Sequence, residues 1–397
     1  TTTPSIDSSS LPPCLRAFLP MFLLRPTSAI HSPMPAPAIA YFISGHGFGH
    51  ARRSALVIAA LLRLRPDLLV HACTTAPPHA LAAAEAPALR VHNIDIDSGA
   101  VEDHPLHINP LATLHRAQEL VDNASALVAD AASCLARLDV RLVLSDIPFL
   151  AADVAQALHV PCWAITSFTW DWIYEPFAES HPPYRPLVQR IAECYGRMHG
   201  LLQFAFGGCC PRFPQVQHVP MIAGRSSRPP ADVLRDVGIA PQDPRPRILV
   251  GMRGGVSEPS LLHAASQSPE MLFLCPRDCP HDRPDNLRCI SLGPHLGFDD
   301  LVAVSHVVIS KLGYSIVADC LAAQAALLWP PRTNFREDPL FARHAGPYLR
   351  QRTIEVPPFL AGDWREDLLA LLRSPPPAPA PPLGGADVCA RHIAAML

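Results

Sequence analysis

Lysine is nearly missing from this chain. Lys311 is the one lysine among 32 basic residues in 397 positions. Charge is sparse altogether, at 17% of residues, and the formal net charge is −3. Without a basic excess there is no electrostatic footprint for nucleic acid. Residues 38–397 contain no apolar run long enough to span a bilayer, and Phe18–Leu24 is interrupted by Pro20 and closed by Arg25. A peripheral membrane contact is left open. The twelve cysteines lack a paired metal spacing, since Cys209 and Cys210 are adjacent and Cys275, Cys279, His281 and Cys289 form only a weak zinc pattern. The expectation is reduced core thiols in a cytoplasmic protein that holds no metal.

What is present is apolar patterning. Hydrophobic residues make up 49% of a chain too long for one ordinary core. Residues 1–36 are expected to form a disordered or non-native extension outside the fold. From Ala38 the chain alternates strand-like runs with helical patterns. The first half offers strands at Ala38–Ser44, Val70–Thr75, Arg90–Ile96, Leu142–Ser145, Cys162–Thr166 and Leu202–Phe206. Helical patterns lie at Ser54–Leu64, Leu111–Leu138 and Phe149–Leu158. A Pro/Ser/Arg-rich break, Pro211–Pro230, precedes a restart of the same grammar. Strands are then expected at Ile248–Met252, Met271–Cys275, Cys289–Leu292, Val307–Ser310, Ala326–Trp329 and Thr353–Val356. This alternation predicts an α/β protein with two doubly wound, Rossmann-like domains, at 38–222 and 223–384, and a closing helix within 385–397. Such domains bind ligands in a cleft at the carboxyl ends of their strands.

Three glycine loops fall at those ends. Ser44 to Arg53 packs Gly45, Gly47 and Gly49 among His46, His50, Arg52 and Arg53. Its spacing is not the dinucleotide G-x-G-x-x-G, and an ordinary strand-helix turn also fits. Two imidazoles in a turn supply groups that accept or donate protons near neutral pH. Gly251 to Gly255 and Ser310 to Asp319 are the phosphate candidates, because bare amides at a strand end or helix start suit a diphosphate. Lys311 sits in the latter loop, where a compact ammonium is not interchangeable with guanidinium. Ser315 would cap the helix or bind phosphate, and Asp319 would accept ribose hydroxyls. Asp146 either orients the base His50 or caps a helix before Pro148. His46 is the alternative base. Trp170 and Trp172 would stack on a sugar or fill the core, with Asp171 between them as a partner for an acceptor hydroxyl. Asp95-x-Asp97 has a metal-sugar spacing, but it also fits an alternating strand and needs no metal.

Taken in order, Ala40–Arg53, Asp97–Val101, Leu144–Asp146, Ser167–Tyr174, Lys311–Tyr314 and Asn334–Pro339 resemble the glycosyltransferase-like N-terminal region of L-arabinokinases and related bacterial proteins. That region is similar in turn to GT-B glycosyltransferases such as the peptidoglycan N-acetylglucosaminyltransferase. The resemblance implies a GT-B fold and a metal-independent, inverting transfer from a nucleotide sugar, a UDP-sugar, to a hydroxyl acceptor, with no further cofactor. It implies a donor site of Gly254, Gly255, Lys311, Gly313, Tyr314, Ser315, Asp319, Glu337 and Asp338. His50 matches the base, and Gly47, Gly49, Arg53, Trp170 and Asp171 fall on the acceptor side. Asp319 is one methylene shorter than the usual glutamate, Ser315 replaces a glycine, and Arg253 and Glu258-Pro259 also depart from the family's loop. No sugar-kinase phosphate loop occurs in the sequence, so kinase activity is not carried over. Two other readings use the same scaffold: a non-catalytic nucleotide-sugar or sugar-binding regulatory module, and a nucleotide-sugar epimerase or hydrolase.

Overall fold

A computed structural model describes residues 37–397 of the protein, except Arg253, residues 278–281 and Pro294. The expected extension at 1–36 lies outside the described residues, as do Arg253 of the second glycine loop and Cys279 and His281 of the zinc pattern.

The first half contains β1 (Ala38–Ile43), β2 (Leu69–Cys73), β3 (Leu89–His92), the hairpin strands β4 (Glu102–His104) and β5 (His107–Ile108), and β6 (Val140–Asp146). It continues through β7 (Cys162–Thr166), β8 (Gly200–Phe204) and β9 (Val216–Val219). The second half contains β10 (Arg247–Val250), β11 (Leu272–Cys275), β12 (Leu287–Cys289), β13 (Val307–Ile309), β14 (Ala326–Trp329) and β15 (Gln351–Thr353). One sheet has the order β3-β2-β1-β6-β7-β8-β9 and the other β12-β11-β10-β13-β14-β15. Every neighbouring pair in both sheets is parallel. A strand such as β1, Ala-Ile-Ala-Tyr-Phe-Ile, is buried at every position, as a parallel strand covered by helices on both faces must be.

The strand order reverses between β1 and β6 in the first sheet, and between β10 and β13 in the second. Ligands of doubly wound sheets bind at such switch points, beyond the carboxyl ends of the strands. All three glycine loops leave those strands: Ser44–Gly49 follows β1, Gly251–Gly255 follows β10, and Ser310–Gly313 follows β13. The register Ile43↔Asp146 places Asp146 beside the first of them.

One apolar cluster joins the two halves, running from β1 and the helix Gly49–Leu64 to β10, β14 and the last helix. Two further clusters line the outer faces of the sheets. The helix Gly385–Ala395 returns to the first half and packs against Gly49–Leu64. The long helical pattern at Leu111–Leu138 is two helices, Pro110–Asp122 and Ala124–Leu135, divided at Asn123. The short hairpin β4–β5 and strand β9 carry no periodic signal in the sequence. Nine described cysteines are free thiols, seven of them buried. Cys289 departs from that expectation: it lies on the outermost strand of the second sheet and is disulfide-bonded. Among the described residues no helix is long and apolar enough to cross a membrane.

Candidate active site

The helix Gly49–Leu64 starts inside the first glycine loop, so its opening turn faces the end of β6. Gly47 has φ +74, a conformation that side-chain-bearing residues rarely adopt, and this reverses the chain into the helix. Positions i, i+3 and i+4 share one helix face, which directs His50, Arg53 and Ser54 at the same carboxylate. His50 Nδ1 lies 2.8 Å from Asp146 Oδ1. Arg53 Nε donates to Asp146 Oδ2 at 2.7 Å, a second guanidinium nitrogen reaches Oδ1, and Ser54 Oγ donates to Oδ2 at 3.0 Å. Burial alone would raise the Asp146 carboxyl, but Arg53 and then His50 outweigh it and hold the group at about 2. Asp146 is therefore a buried anion and caps no helix.

Arg53 changes what this cluster can do. Its terminal nitrogen also sits 2.8 Å from His50 Nδ1. With the proton on Nδ1, His50 donates to Asp146 and leaves Nε2 free to accept. With the proton on Nε2, Nδ1 accepts from Arg53. The carboxylate favours the first tautomer, as in a triad, and the guanidinium favours the second. Arg53 is 3% exposed and its guanidinium lies over the rings of Phe204 and Tyr314, at 5.1 Å from each. It supports the imidazole from behind and does not face an acceptor.

His46 is held differently. Burial lowers its pKa to about 4, so the ring is neutral near pH 7. It packs edge-on against Trp170 at 6.1 Å and lies against Gly99, where an added Cβ would approach the ring to 3.1 Å. Trp170 itself is a core residue. It is 1% exposed, stacked on Tyr174 at 5.3 Å, and donates Nε1–H to Asp97 Oδ1 at 2.7 Å. It offers no free face to a sugar. Asp97 also accepts from Ser44 Oγ, and burial raises its carboxyl. Asp171 is buried too, with its pKa raised by burial, Arg212 4.0 Å away, and Oδ1 without a hydrogen-bond partner among the described residues.

In the second half Gly254 has φ +70 and lies exposed after β10, whereas Gly255 is buried against Met252. Gly313 precedes the helix Tyr314–Ala323, and a Cβ there would meet nothing within 4 Å among the described residues. The loop is open at that point. Three candidate donor residues are instead engaged in internal bonds. Tyr314 is buried and its hydroxyl accepts the Ile222 N–H at 2.8 Å. Asp319, 3% exposed, accepts from Gly224 N at 2.8 Å and pairs with Arg52 at 3.1 Å, so its carboxylate points into the protein and not toward a ribose. Asp338 is clamped by Arg332, whose guanidinium also donates to Leu312 O at 2.6 Å and fixes the Gly313 loop. These roles follow from burial: a carboxylate inside the fold must be paired.

Several contacts close the cleft. Lys311 Nζ meets Glu102 Oε1 at 2.8 Å, Ser315 Oγ donates to Gly49 O at 3.1 Å, and Ser167 Oγ donates to Glu337 Oε1 at 3.0 Å. Burial, opposed by Arg332 and Arg53, raises the Glu337 pKa to about 7. The hairpin β4–β5 lies over the second half, exchanging backbone bonds with Thr333 and placing Leu106 in that half's core. Glu102 and Arg332 carry no motif in the sequence, whereas Arg52 and Ser167 fall inside motif stretches that gave them no role of their own. Their partners, Lys311, Asp319, Asp338 and Glu337, are the ones the sequence singles out as candidate donor residues. Among the described residues no group of three or more His, Cys, Asp or Glu is placed to hold a metal.

Two parallel α/β sheets with glycine loops at facing switch points define a GT-B, glycosyltransferase-like architecture. No family model matches the chain. An L-arabinokinase of Arabidopsis thaliana is 28% identical over 308 residues, which is 76% of this chain and 29% of that protein. The chain thus spans less than a third of that relative's length. Among solved structures, a glycotransferase of kitacinnamycin superposes with a TM-score of 0.62, covering 92% of this chain and 100% of its own at 13% identity. A UDP-glucosyltransferase from Polygonum tinctorium gives 0.59 over 92% and 99% at 15% identity. A Listeria monocytogenes protein described as a UDP-N-acetylglucosamine 2-epimerase gives 0.51 over 91% and 95% at 13% identity. At these identities the likeness is one of fold.

Proposed function

We propose that this protein is a metal-independent, inverting glycosyltransferase that moves a sugar from a nucleotide-sugar donor of the UDP type to a hydroxyl acceptor. The observation that carries the reading is the His50–Asp146 contact at one switch point, set against the open Gly313 loop at the other. His50 Nε2 takes the acceptor proton as the acceptor oxygen attacks the anomeric carbon. The bond from that carbon to the diphosphate breaks, and the diphosphate leaves with the electron pair. Amides of the Gly254–Gly255 loop and the amino end of the helix Tyr314–Ala323 meet the developing charge, with Lys311 as the nearby cation. The proposal requires Lys311 to exchange Glu102 for phosphate.

The test combines a thermal-shift screen of UDP, dTDP and their sugars with turnover of the variant His50→Ala. Donor stabilisation should persist in the variant, while transfer falls by about 10²–10⁴-fold, the usual worth of a general base. Unchanged turnover would remove His50 from the mechanism. No stabilisation by any nucleotide would remove the donor site as well. The Listeria structure favours a second reading, nucleotide-sugar epimerisation or hydrolysis. Acceptor-free conversion of the sugar nucleotide is its mark. The third reading, a nucleotide-sugar-binding module without turnover, draws on the ion pair that already neutralises Lys311.

A further inference from the structure

Beside the first glycine loop lies a cavity of about 200 Å³ that the donor loops do not reach. His46, Thr75, Asp95, Asp97, Gly99 and Arg116 line it. These residues come from the loops after β1, β2 and β3 and from the helix Pro110–Asp122, so the cavity opens at the carboxyl ends of parallel strands.

Its size and chemistry narrow the occupant. Pockets for drug-sized ligands begin near 300 Å³, so this one is too small for a sugar nucleotide or a polycyclic acceptor. Its walls carry both signs of charge. An anion would meet Asp95 and the nine-tenths-buried Asp97, and a cation would meet Arg116. A neutral ring with several hydroxyls satisfies both, donating to the carboxylates and accepting from the guanidinium and Thr75. His46, neutral near pH 7, adds a wall that accepts or donates without charge.

We propose that this cavity holds the acceptor, and that the acceptor is one free, neutral, polyhydroxylated ring of monosaccharide size. The proposal rests on the transferase reading for the word acceptor, since His46 and His50 share one loop. The sugar site itself stands apart from that reading.

Ligand-observed NMR on the full chain, with and without saturating UDP, tests it. The probes are D-glucose, D-galactose, D-xylose and L-arabinose, with p-nitrophenol as an aromatic comparison. At least one sugar should give a saturable signal that p-nitrophenol does not displace. Asp95→Asn and Arg116→Met, both at exposed positions, should each weaken it about tenfold, the loss of one charged hydrogen bond, with melting temperature and UDP affinity unchanged. No saturable sugar signal with or without UDP overturns the proposal, as does a signal that survives both substitutions. If UDP binds and no sugar does, the cavity assignment fails and the transferase reading stands. If sugars bind and no nucleotide does, the cavity stands as a sugar site and the transferase reading fails.

Discussion

The two switch-point loops use opposite electrostatic designs. In the loop after β1 the central charges are internal: Asp146, Arg53 and His50 are all buried and each finds its partner within the same half, while the neighbouring Arg52 reaches across to Asp319. In the loop after β13, charge is shared across the cleft, and the ammonium of Lys311, about one-third exposed, depends on Glu102 of the other half. A buried, self-satisfied cluster holds one geometry and costs much to disturb. A cross-cleft pair in partial contact with water costs little to break and is easily exchanged. Rigid positioning suits a base that must meet its proton within hydrogen-bond distance. Exchangeable pairing suits a cation that must trade a carboxylate for a departing phosphate.

The largest effect should come from breaking the internal cluster. Asp146→Ala leaves Arg53 charged and enclosed by Phe204 and Tyr314 with its main partner gone. Removing one member of a buried pair typically costs about 3–5 kcal/mol. A urea denaturation midpoint lowered to match would place the cluster among the principal supports of the first half. A midpoint near the parent's would show that water reaches Arg53 and that the cluster is not rigid. The sign with pH is fixed: Asp146 titrates lower in the fold than in the unfolded chain, so its stabilisation is present above about pH 4 and lost as pH falls toward 2.

The next effect lies at the Ser167–Glu337 contact, where a buried carboxyl bridges the halves. Glu337 is raised from 4.5 to about 7, so the fold binds its proton more tightly than the unfolded chain does. Its contribution is full below about pH 4.5 and is lost as pH rises through 7. Glu337→Gln should remove that slope and stabilise the protein above pH 8 by up to about 3 kcal/mol. His46 runs the other way, lowered from 6.5 to about 4, so the fold loses stability as pH falls through that window. Melting temperatures of parent and variant from pH 4 to 9 decide the matter. Parallel curves would mean that Glu337 ionises freely and does not oppose closure.

Much of this was legible in the sequence, and the limit was physical. Cys162–Thr166 and Ala326–Trp329 form strands at the expected bounds because fully buried parallel strands read as unbroken apolar runs. His50 and Asp146 stood out because a histidine beside a glycine loop and a carboxylate at a strand end each have a local signature. Trp170, Tyr314, Asp319 and Asp338 carried motif positions, yet the fold spends them on internal bonds. Their partners, Asp97, Ile222, Arg52, Gly224 and Arg332, are fixed by tertiary packing. For all but the Arg332–Asp338 pair the partner is distant in sequence, so no short window could show the match. The hairpin β4–β5 was missed for a related reason. Five strand residues are too few for a period, and it owes its place to Leu106 in the core of the other half.

The smallest effect on stability should come from the cross-cleft pair, and it is the sharpest test of the contrast. Glu102 and Lys311 are both partly exposed, and such pairs contribute about 0–1 kcal/mol. Glu102→Gln and Lys311→Met should therefore shift the melting temperature little. Their effects on UDP affinity should have opposite signs. Glu102→Gln frees the ammonium from its competitor and should tighten binding, whereas Lys311→Met removes the cation and should weaken it. A double variant should bind like Lys311→Met alone, because the carboxylate acts only through the lysine it holds. If both single variants weaken UDP alike, Glu102 positions the loop and does not compete for its charge. Lys311 would then be bound to its partner as firmly as Arg53 is, and the two loops would share one design.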